Sequence, residues 1–269
     1  MSKIRLHYLI GDVGGHDVHR VARNNRILLE QTDAFDILMV CDYAALGDVS
    51  FDEYFAGDYM EHCDVFVFDC GGYRFNIEEE QKRLERAVAA GAGFVFLHGN
   101  HPAYWEAAGM TPWPEIEKMA GLMWREKTQH GDYADAHVTI SMPDHPITKG
   151  LTDFDTRDEI FCRCENLHQV PLKVLATAWS DPEVYSRHGL PGTGYDEPIA
   201  VTGAYGKGRT YNQLLGHVWS FYTGHGLGEN TMYSFRPLQF RIMFVRACEW
   251  AATGQVIKTA DFDGRANLI

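Results

Sequence analysis

The sequence predicts an α/β fold in which a mostly parallel central sheet is covered by helices on both faces. Two observations support this prediction. Over the first hundred residues, strand-like apolar runs alternate with amphipathic helical stretches. The runs are also nearly continuous in apolar residues, which is typical of parallel strands buried on both faces. Ligands of such open sheets bind beyond the carboxyl ends of the strands, so polar residues that follow a strand are candidates for chemistry.

Six elements are predicted in the first half of the chain. Helical spacing of apolar side chains, from Val18 to Leu28, indicates the first helix. Three consecutive glutamates, beginning at Glu78, suit the positive end of the second helix, and Gly91 follows its last turn. The predicted strands cover residues 4–10, 36–40, 64–69 and 94–97, and the predicted helices cover residues 18–31 and 77–90.

The second half reads as shorter strands separated by loops rich in Asp, Gly and Pro. Strands are predicted over residues 137–141, 173–177, 198–202 and 209–215, with a hairpin turn at residues 205–208. A last helix over residues 238–252 stops at Gly254. We expect one domain over residues 1–258 and a loose tail over residues 259–269.

Composition limits the classes of binding partner and the cellular compartment that we expect for this protein. The 269 residues carry a formal net charge of -13, which disfavours binding to nucleic acid and to anionic membrane surfaces. No apolar run reaches the roughly 20 residues that cross a bilayer, and the N-terminus reads as a strand rather than a signal peptide. The six cysteines are scattered without a Cys-x-x-Cys pair, as expected of reduced thiols in a cytoplasmic protein.

Histidines at predicted strand ends are the main chemical signal. His98 and His101 follow the fourth strand as an H-x-x-H, and His16 and His217 follow the first and the last. The H-x-x-H favours either a metal pair or an acid/base pair, since imidazole titrates near neutral pH and binds zinc. A structural alternative is that His101 caps a helix that begins at Pro102.

Two further segments carry candidate groups. The turn Cys70-Gly71-Gly72 could present N–H groups to an anion or oxyanion, or it could be a plain tight turn. Glu159 could act as a base or orient a histidine, or it could belong to a solvated acidic loop.

Four aromatic residues could stack on a sugar ring, although a place in the core is the more common role for each of them. They are Tyr104, Trp105, Trp113 and Trp219.

Several segments together resemble the trehalose-utilisation, ThuA-like family, a branch of the class I glutamine amidotransferase-like fold. In chain order they are GGHDVHRVARNNRILLEQTDAFDI, DVFVFDCGG, GAGFVFLHGNH, DHPITKGLTDFDTRDEI, PIAVTGAYGKGRTYNQLLGH and RACEWAATGQV. The resemblance spans nearly the whole chain and implies a flavodoxin-like three-layer sandwich. The late motif departs from the family pattern, because Val218 stands where an aspartate is common.

The resemblance also locates the catalytic elbow of the amidotransferases at residues 97–101, where this chain has no cysteine. A cysteine-based glutamine hydrolysis is therefore not expected. The scaffold is expected to keep its pocket, with Gly71 and Gly72 at the oxyanion position, and to use a different reacting group.

These observations together predict an enzyme of carbohydrate catabolism that acts on a sugar or an oxidised (3-keto) sugar or glycoside. His98 or His101 would move a proton, Glu159 or His217 would orient or assist, and zinc on His98 and His101 would be the cofactor, if any. The expected substrate-binding residues are His16, Gly71, Gly72, Asn100, Tyr104 and Trp105. The alternative is a non-catalytic sugar-binding or regulatory module, and the sequence leaves open whether the chain forms a homo-oligomer.

Overall fold

A nine-stranded sheet runs through the part of the chain that the structure describes. The computed structural model describes residues 2–11, 15–71, 74–186, 189–219 and 232–269. The strands of the sheet follow the order β2-β1-β3-β4-β11-β10-β9-β6-β7, and β5 and β8 form a separate two-stranded ribbon.

Most predicted elements lie within a few residues of their expected bounds. The strands are β1 (Ile4–Ile10), β2 (Phe35–Val40), β3 (Val65–Asp69), β4 (Gly93–Phe96), β5 (Gln129–His130), β6 (Ala134–Ile140), β7 (Phe154–Asp158), β8 (Phe161–Cys162), β9 (Lys173–Trp179), β10 (Asp196–Tyr205) and β11 (Gly208–Gln213). The α-helices are α1 (Val18–Glu30), α2 (Phe51–Ala56), α3 (Glu78–Ala90), α4 (Pro114–Ala120) and α5 (Leu238–Thr253).

The sheet is mixed rather than mostly parallel. Strands β2, β1, β3, β4 and β11 pair in parallel, whereas β10, β9, β6 and β7 pair antiparallel. The parallel half follows from the predicted alternation of strands and helices, since parallel neighbours need long crossovers. The antiparallel half begins at the predicted hairpin, where Tyr205 pairs with Gly208.

Helices cover both faces of the parallel half, which confirms the three-layer α/β sandwich. Alternate residues of β3 show the division: Val65 and Val67 join the core with α1 and α5, while Phe66 and Phe68 join the core with α2, α3 and α4. Because both faces are buried, these strands need no polar alternation. No helix within the described residues is long and apolar enough to cross a membrane.

The C-terminal segment is docked, contrary to the loose tail expected from the sequence. Asn24 of α1 bonds both the backbone N–H and the carbonyl of Ile269, each at 2.7 Å. The carboxylate of Glu249 on α5 accepts from the backbone N–H groups of Ile257, Lys258 and Thr259. The segment is irregular in backbone but held by specific side chains, a feature that composition does not reveal.

Candidate functional site

Three histidines from distant loops meet at the carboxyl edge of the parallel strands. His16 follows β1, His98 follows β4 and His217 follows β11, and these strands lie close together in the sheet. One nitrogen of each ring lies within 4.8 Å of the corresponding nitrogens of the other two. The ring centroids are separated by 4.1 Å for His16 and His217, 5.1 Å for His98 and His217, and 5.4 Å for His16 and His98. We call these three residues the histidine cluster.

His98 is fixed with one nitrogen bonded away from the cluster. Its Nδ1 lies 2.5 Å from the carbonyl oxygen of Leu214, so Nδ1 must carry the proton and donate it. Nε2 is buried and has no hydrogen-bond partner among the described residues. Burial is the main cause that lowers the pKa of His98 well below its usual value, and the neighbouring rings of His217 and His16 lower it further. The ring is therefore neutral, with the lone pair of Nε2 available to a ligand.

His217 is oriented by a buried carboxylate. Its Nδ1 lies 3.0 Å from Oε2 of Glu159, and both side chains are about 5% exposed or less. The backbone carbonyl of His217 accepts a hydrogen bond from the hydroxyl of Tyr133. An imidazole that donates one N–H to a carboxylate presents its other nitrogen as a stronger ligand or base. Glu159 is thus placed to orient His217.

The loop of His16 is held against the loop of His217. His16 forms an isolated β-bridge with Trp219, and the backbone N–H of Asp17 donates to the carbonyl of Val218 at 2.7 Å. This pairing keeps the rings of His16 and His217 stacked.

The donor set of the histidine cluster fits a divalent metal. Three imidazoles, one of them next to a carboxylate, are typical of catalytic zinc sites that keep an open fourth position. A metal would also relieve the unsatisfied, buried Nε2 of His98.

A family model described as ThuA, trehalose utilisation, matches residues 30–251 of the chain. The chain belongs to the ThuA family. None of the curated proteins is significantly similar to it in sequence.

Solved structures of ThuA-like proteins share the fold of this ThuA-family chain. A ThuA-like protein from Parabacteroides merdae is 23% identical with a TM-score of 0.72, over 95% of this chain and 92% of that one. A ThuA-like protein from Bacteroides uniformis is 14% identical with a TM-score of 0.60, over 93% and 91%. A cytoplasmic protein from Salmonella typhimurium is 12% identical with a TM-score of 0.55, over 92% and 98%. At these identities the likeness confirms the fold.

Only His98 of the predicted H-x-x-H metal pair belongs to the histidine cluster. His101 is completely buried, and its ring centroid lies 6.3 Å from that of His98. It packs edge-on against Phe96 and Phe161, and burial lowers its pKa to about 3. His101 does not cap a helix at Pro102 either, because residues 101–104 form turns. The other cluster members come from loops far away in sequence, so spacing alone could not identify them.

The predicted oxyanion turn is tied to the loop of His98. The backbone N–H of Gly71 donates to Oδ1 of Asn100 at 2.6 Å, while Nδ2 of Asn100 donates to the carbonyls of Phe68 and Leu97. Asn100 therefore joins the ends of β3 and β4, and the Gly71 N–H is already bonded. Gly72 lies outside the described residues. Burial raises the pKa of Cys70 well above its usual value, which argues against a thiolate nucleophile.

The four aromatic candidates separate into core and site. Tyr104 and Trp113 are buried against each other, with ring centroids 4.9 Å apart, and the Tyr104 hydroxyl donates to the carbonyl of Arg74. Trp105 is partly exposed on the turn that follows. Trp219, in contrast, lies 4.3 Å from the ring of His217.

Three aromatic neighbours of the cluster were not identified from the sequence. Phe161 stacks on His98 at 4.2 Å, Trp124 packs edge-on against Phe161, and Tyr133 lies beside His217. His130 joins them, with Nδ1 3.4 Å from Oε2 of Glu159. These residues lie in irregular segments or two-residue strands, which carry no periodic signal.

A small cavity below the histidine cluster contains a second buried acid. Asp69, the last residue of β3, lines it together with His16, His98 and Gln213. The hydroxyl of Tyr8 donates to Asp69 at 3.2 Å, and burial raises the pKa of Asp69 to about 7. A carboxyl group here remains largely protonated below neutral pH.

Proposed function

We propose that this ThuA-family chain is an enzyme of carbohydrate catabolism that acts on a sugar or an oxidised (3-keto) sugar or glycoside. The observation that carries the proposal is the histidine cluster, with Oε2 of Glu159 3.0 Å from Nδ1 of His217. Histidines gathered at a strand edge, with the pKa of His98 lowered by burial, are characteristic of sites for acid/base or metal chemistry. The family description, trehalose utilisation, supports a sugar as the substrate class.

The cofactor we propose is a divalent metal, zinc, held by His16, His98 and His217. When bound, it would supply Lewis-acid polarisation of a substrate oxygen and lower the pKa of a bound water. The Glu159 carboxylate would hold the His217 ring in the tautomer that binds metal, and the Leu214 carbonyl would do the same for His98.

The acid/base role belongs to the same residues. Glu159 is a buried carboxylate with Oε2 3.0 Å from Nδ1 of His217 and 3.4 Å from Nδ1 of His130. It can hold or accept a proton while the imidazoles orient the substrate. His101, which is completely buried, would support His98 by packing rather than by contact with the substrate.

The surrounding aromatic residues support a sugar as the ligand. The rings of Trp219 and Tyr133 lie 4.3 Å and 5.9 Å from that of His217, and both side chains are only partly buried. Aromatic faces of this kind pack on the C–H face of a sugar ring while the polar tips bond its hydroxyl groups.

The similar protein from Salmonella typhimurium is described as cytoplasmic, which supports the same location for this chain.

Metal binding and turnover test the proposal together. We expect purified wild-type protein to bind zinc in a one-to-one ratio, measured by competition with a chromophoric chelator. His98→Ala and His217→Ala should abolish this binding and lower turnover of 3-keto-glucosides by about 100-fold or more. His62→Ala is the matched control, because His62 is exposed and pairs only with Asp58 in the described structure.

Three outcomes separate the candidate functions. Loss of binding and turnover in both cluster variants, with the control unchanged, supports a metal-dependent enzyme. Turnover that survives in both variants contradicts the assignment. Sugar binding by calorimetry without any product would instead support the non-catalytic sugar-binding module, for which the absent cysteine nucleophile is the main argument.

A further inference from the structure

Asp158 is a buried acid next to the site that the proposed function does not yet use. It is the last residue of β7, the edge strand of the sheet, and only 1% of it is exposed. Burying a carboxylate costs several kcal/mol unless hydrogen bonds compensate. An apolar residue would pack at this position without that cost, so the retention of an acid requires an explanation.

The three donors to Asp158 come from both halves of the site. Oδ1 accepts the backbone N–H of Glu159 at 2.8 Å. Oδ2 accepts the backbone N–H of Gly216 at 2.7 Å and the hydroxyl of Ser234. Gly216 immediately precedes His217, so one carboxylate bonds the backbones that carry His217 and its partner Glu159.

The turn at Gly216 shows why such a bond is needed. Gly216 has a φ of +123°, a conformation that side-chain-bearing residues rarely adopt. A Cβ at Gly216 would lie 3.8 Å from Cβ of His98, so this turn brings the His217 loop close to His98. Without a hydrogen bond to its N–H, a turn of this shape has many alternatives that would separate the two rings.

We propose that Asp158 is a positioning residue that locks Glu159 and His217 together for metal binding. The inference rests on the proposed function. Glycine supplies the freedom for the turn, and the Asp158 carboxylate selects one conformation of it. The His217 Nδ1–Glu159 Oε2 distance of 3.0 Å is then a consequence of two backbone hydrogen bonds to a single side chain.

Asp158→Asn is the informative variant. The amide replaces one carboxylate oxygen with an NH2 group, which cannot accept a hydrogen bond. The backbone N–H of either Glu159 or Gly216 therefore loses its acceptor. We expect zinc affinity to fall 10- to 100-fold, the usual effect of removing a residue that orients a metal ligand. Asp155→Asn is the matched control on the same strand, because Asp155 is exposed and bonds only the exposed His137 in the described structure.

A second readout is independent of the metal. In metal-free protein with ¹⁵N-labelled histidine, the Nδ1 proton of His217, which faces Oε2 of Glu159 at 3.0 Å, should exchange slowly with water, and His217→Ala assigns its signal. We expect Asp158→Asn to lose this slow exchange and Asp155→Asn to retain it. If wild-type protein binds no zinc, the metal proposal fails and this signal alone decides the role of Asp158.

The opposite results overturn the inference. A folded Asp158→Asn that melts earlier but keeps the slow ring proton and the wild-type zinc affinity would show a role in stability only. If circular dichroism shows that this variant does not fold, Ser234→Ala decides instead. It removes one donor to the same oxygen, and we expect a loss of affinity of about threefold; unchanged affinity and exchange would refute the positioning role.

Discussion

At the scale of single residues, the same side chain has different properties in different surroundings. Burial lowers the pKa of His98 and His101, whereas the hydrogen bond that His137 donates to Asp155 raises the pKa of this exposed histidine. His7, buried against Tyr54, has a pKa lowered to about 4. The sequence contains thirteen histidines, and only their neighbours in space assign them to chemistry or to packing.

The burial of His101 predicts how the free energy of unfolding changes at acidic pH. Its pKa is about 3 in the folded protein and about 6.5 in the unfolded chain. Between these values the unfolded state binds more protons, so the free energy of unfolding falls as the pH is lowered from 6.5 to 3. His101→Leu should remove this contribution, up to about 5 kcal/mol over the window.

Urea unfolding at several pH values measures the effect. The slope of stability against pH is the readout, since the substitution also changes packing. His62→Leu, at an exposed position, should keep the wild-type slope. The prediction is wrong if His101→Leu loses as much stability on acidification as the wild type does.

At the scale of elements, the loops at strand ends are set by contacts between neighbours. Asn100 joins the ends of β3 and β4, and Asp158 joins β7 to the loop after β11. The strands bring these loops to one edge, but single polar side chains fix their shapes. Helix α5 shows the same division, because its apolar face packs on the sheet while Glu249 holds the C-terminal segment.

Glu249→Gln should destabilise the C-terminal segment. The Glu249 carboxylate accepts four hydrogen bonds, three from backbone N–H groups and one from the Thr259 hydroxyl. In the variant, an NH2 group replaces one carboxylate oxygen and faces N–H or O–H donors without accepting from them. We therefore expect the free energy of unfolding to fall by about 2 kcal/mol. Glu79→Gln on the exposed face of α3 is the control and should change stability by less than about 0.5 kcal/mol.

Hydrogen exchange locates this effect. The amides of residues 257–259 should lose protection in Glu249→Gln, while those of β3 and β4 keep theirs. Uniform loss across the sheet would instead mean that the carboxylate supports the whole core.

At the scale of the whole molecule, the histidine cluster connects distant parts of the chain. His16 lies in the first βα loop, His98 near the middle, and His217 after the last strand of the parallel half. The unfolded chain cannot present these three ligands together, so metal that binds the cluster binds the native state almost exclusively.

Zinc should therefore stabilise the whole fold. With free zinc at 100 times the dissociation constant, the free energy of unfolding should rise by about 2.7 kcal/mol. Chelator should reverse the gain, and His98→Ala should show none. An equal rise in His98→Ala would mean that zinc binds elsewhere, for example at surface carboxylates of this acidic chain.

Much of the architecture could be predicted because it depends on local sequence patterns. The strands β1 and β3 and the helices α1, α3 and α5 follow from apolar periodicity and glycine stops, to within about two residues. The two-residue strands β5 and β8 and the antiparallel pairing of β6, β7 and β9 did not follow, because short polar strands have weak periodicity.

The candidate site was predicted only in part. His16, His98 and His217 could be nominated because each follows a predicted apolar strand, and Glu159 because a carboxylate can act as a base or orient a histidine. The grouping of the histidines could not be predicted. His98 meets His16, 82 positions before it (98 − 16), and His217, 119 positions after it (217 − 98), rather than His101. Nor could Asn100 be recognised as a link between the ends of β3 and β4, because that role depends on neighbours from another loop.

The sequence by itself determined the α/β class, the family, the absence of a catalytic cysteine at the elbow and the strand ends where chemistry is expected. Only the tertiary structure decided which histidines share a site, which carboxylate orients them and which polar side chains hold the loops. The physical reason is range. Periodicity and turn preferences act over a few residues, whereas ligand sets, burial and pKa depend on groups that the sheet brings together from opposite ends of the chain.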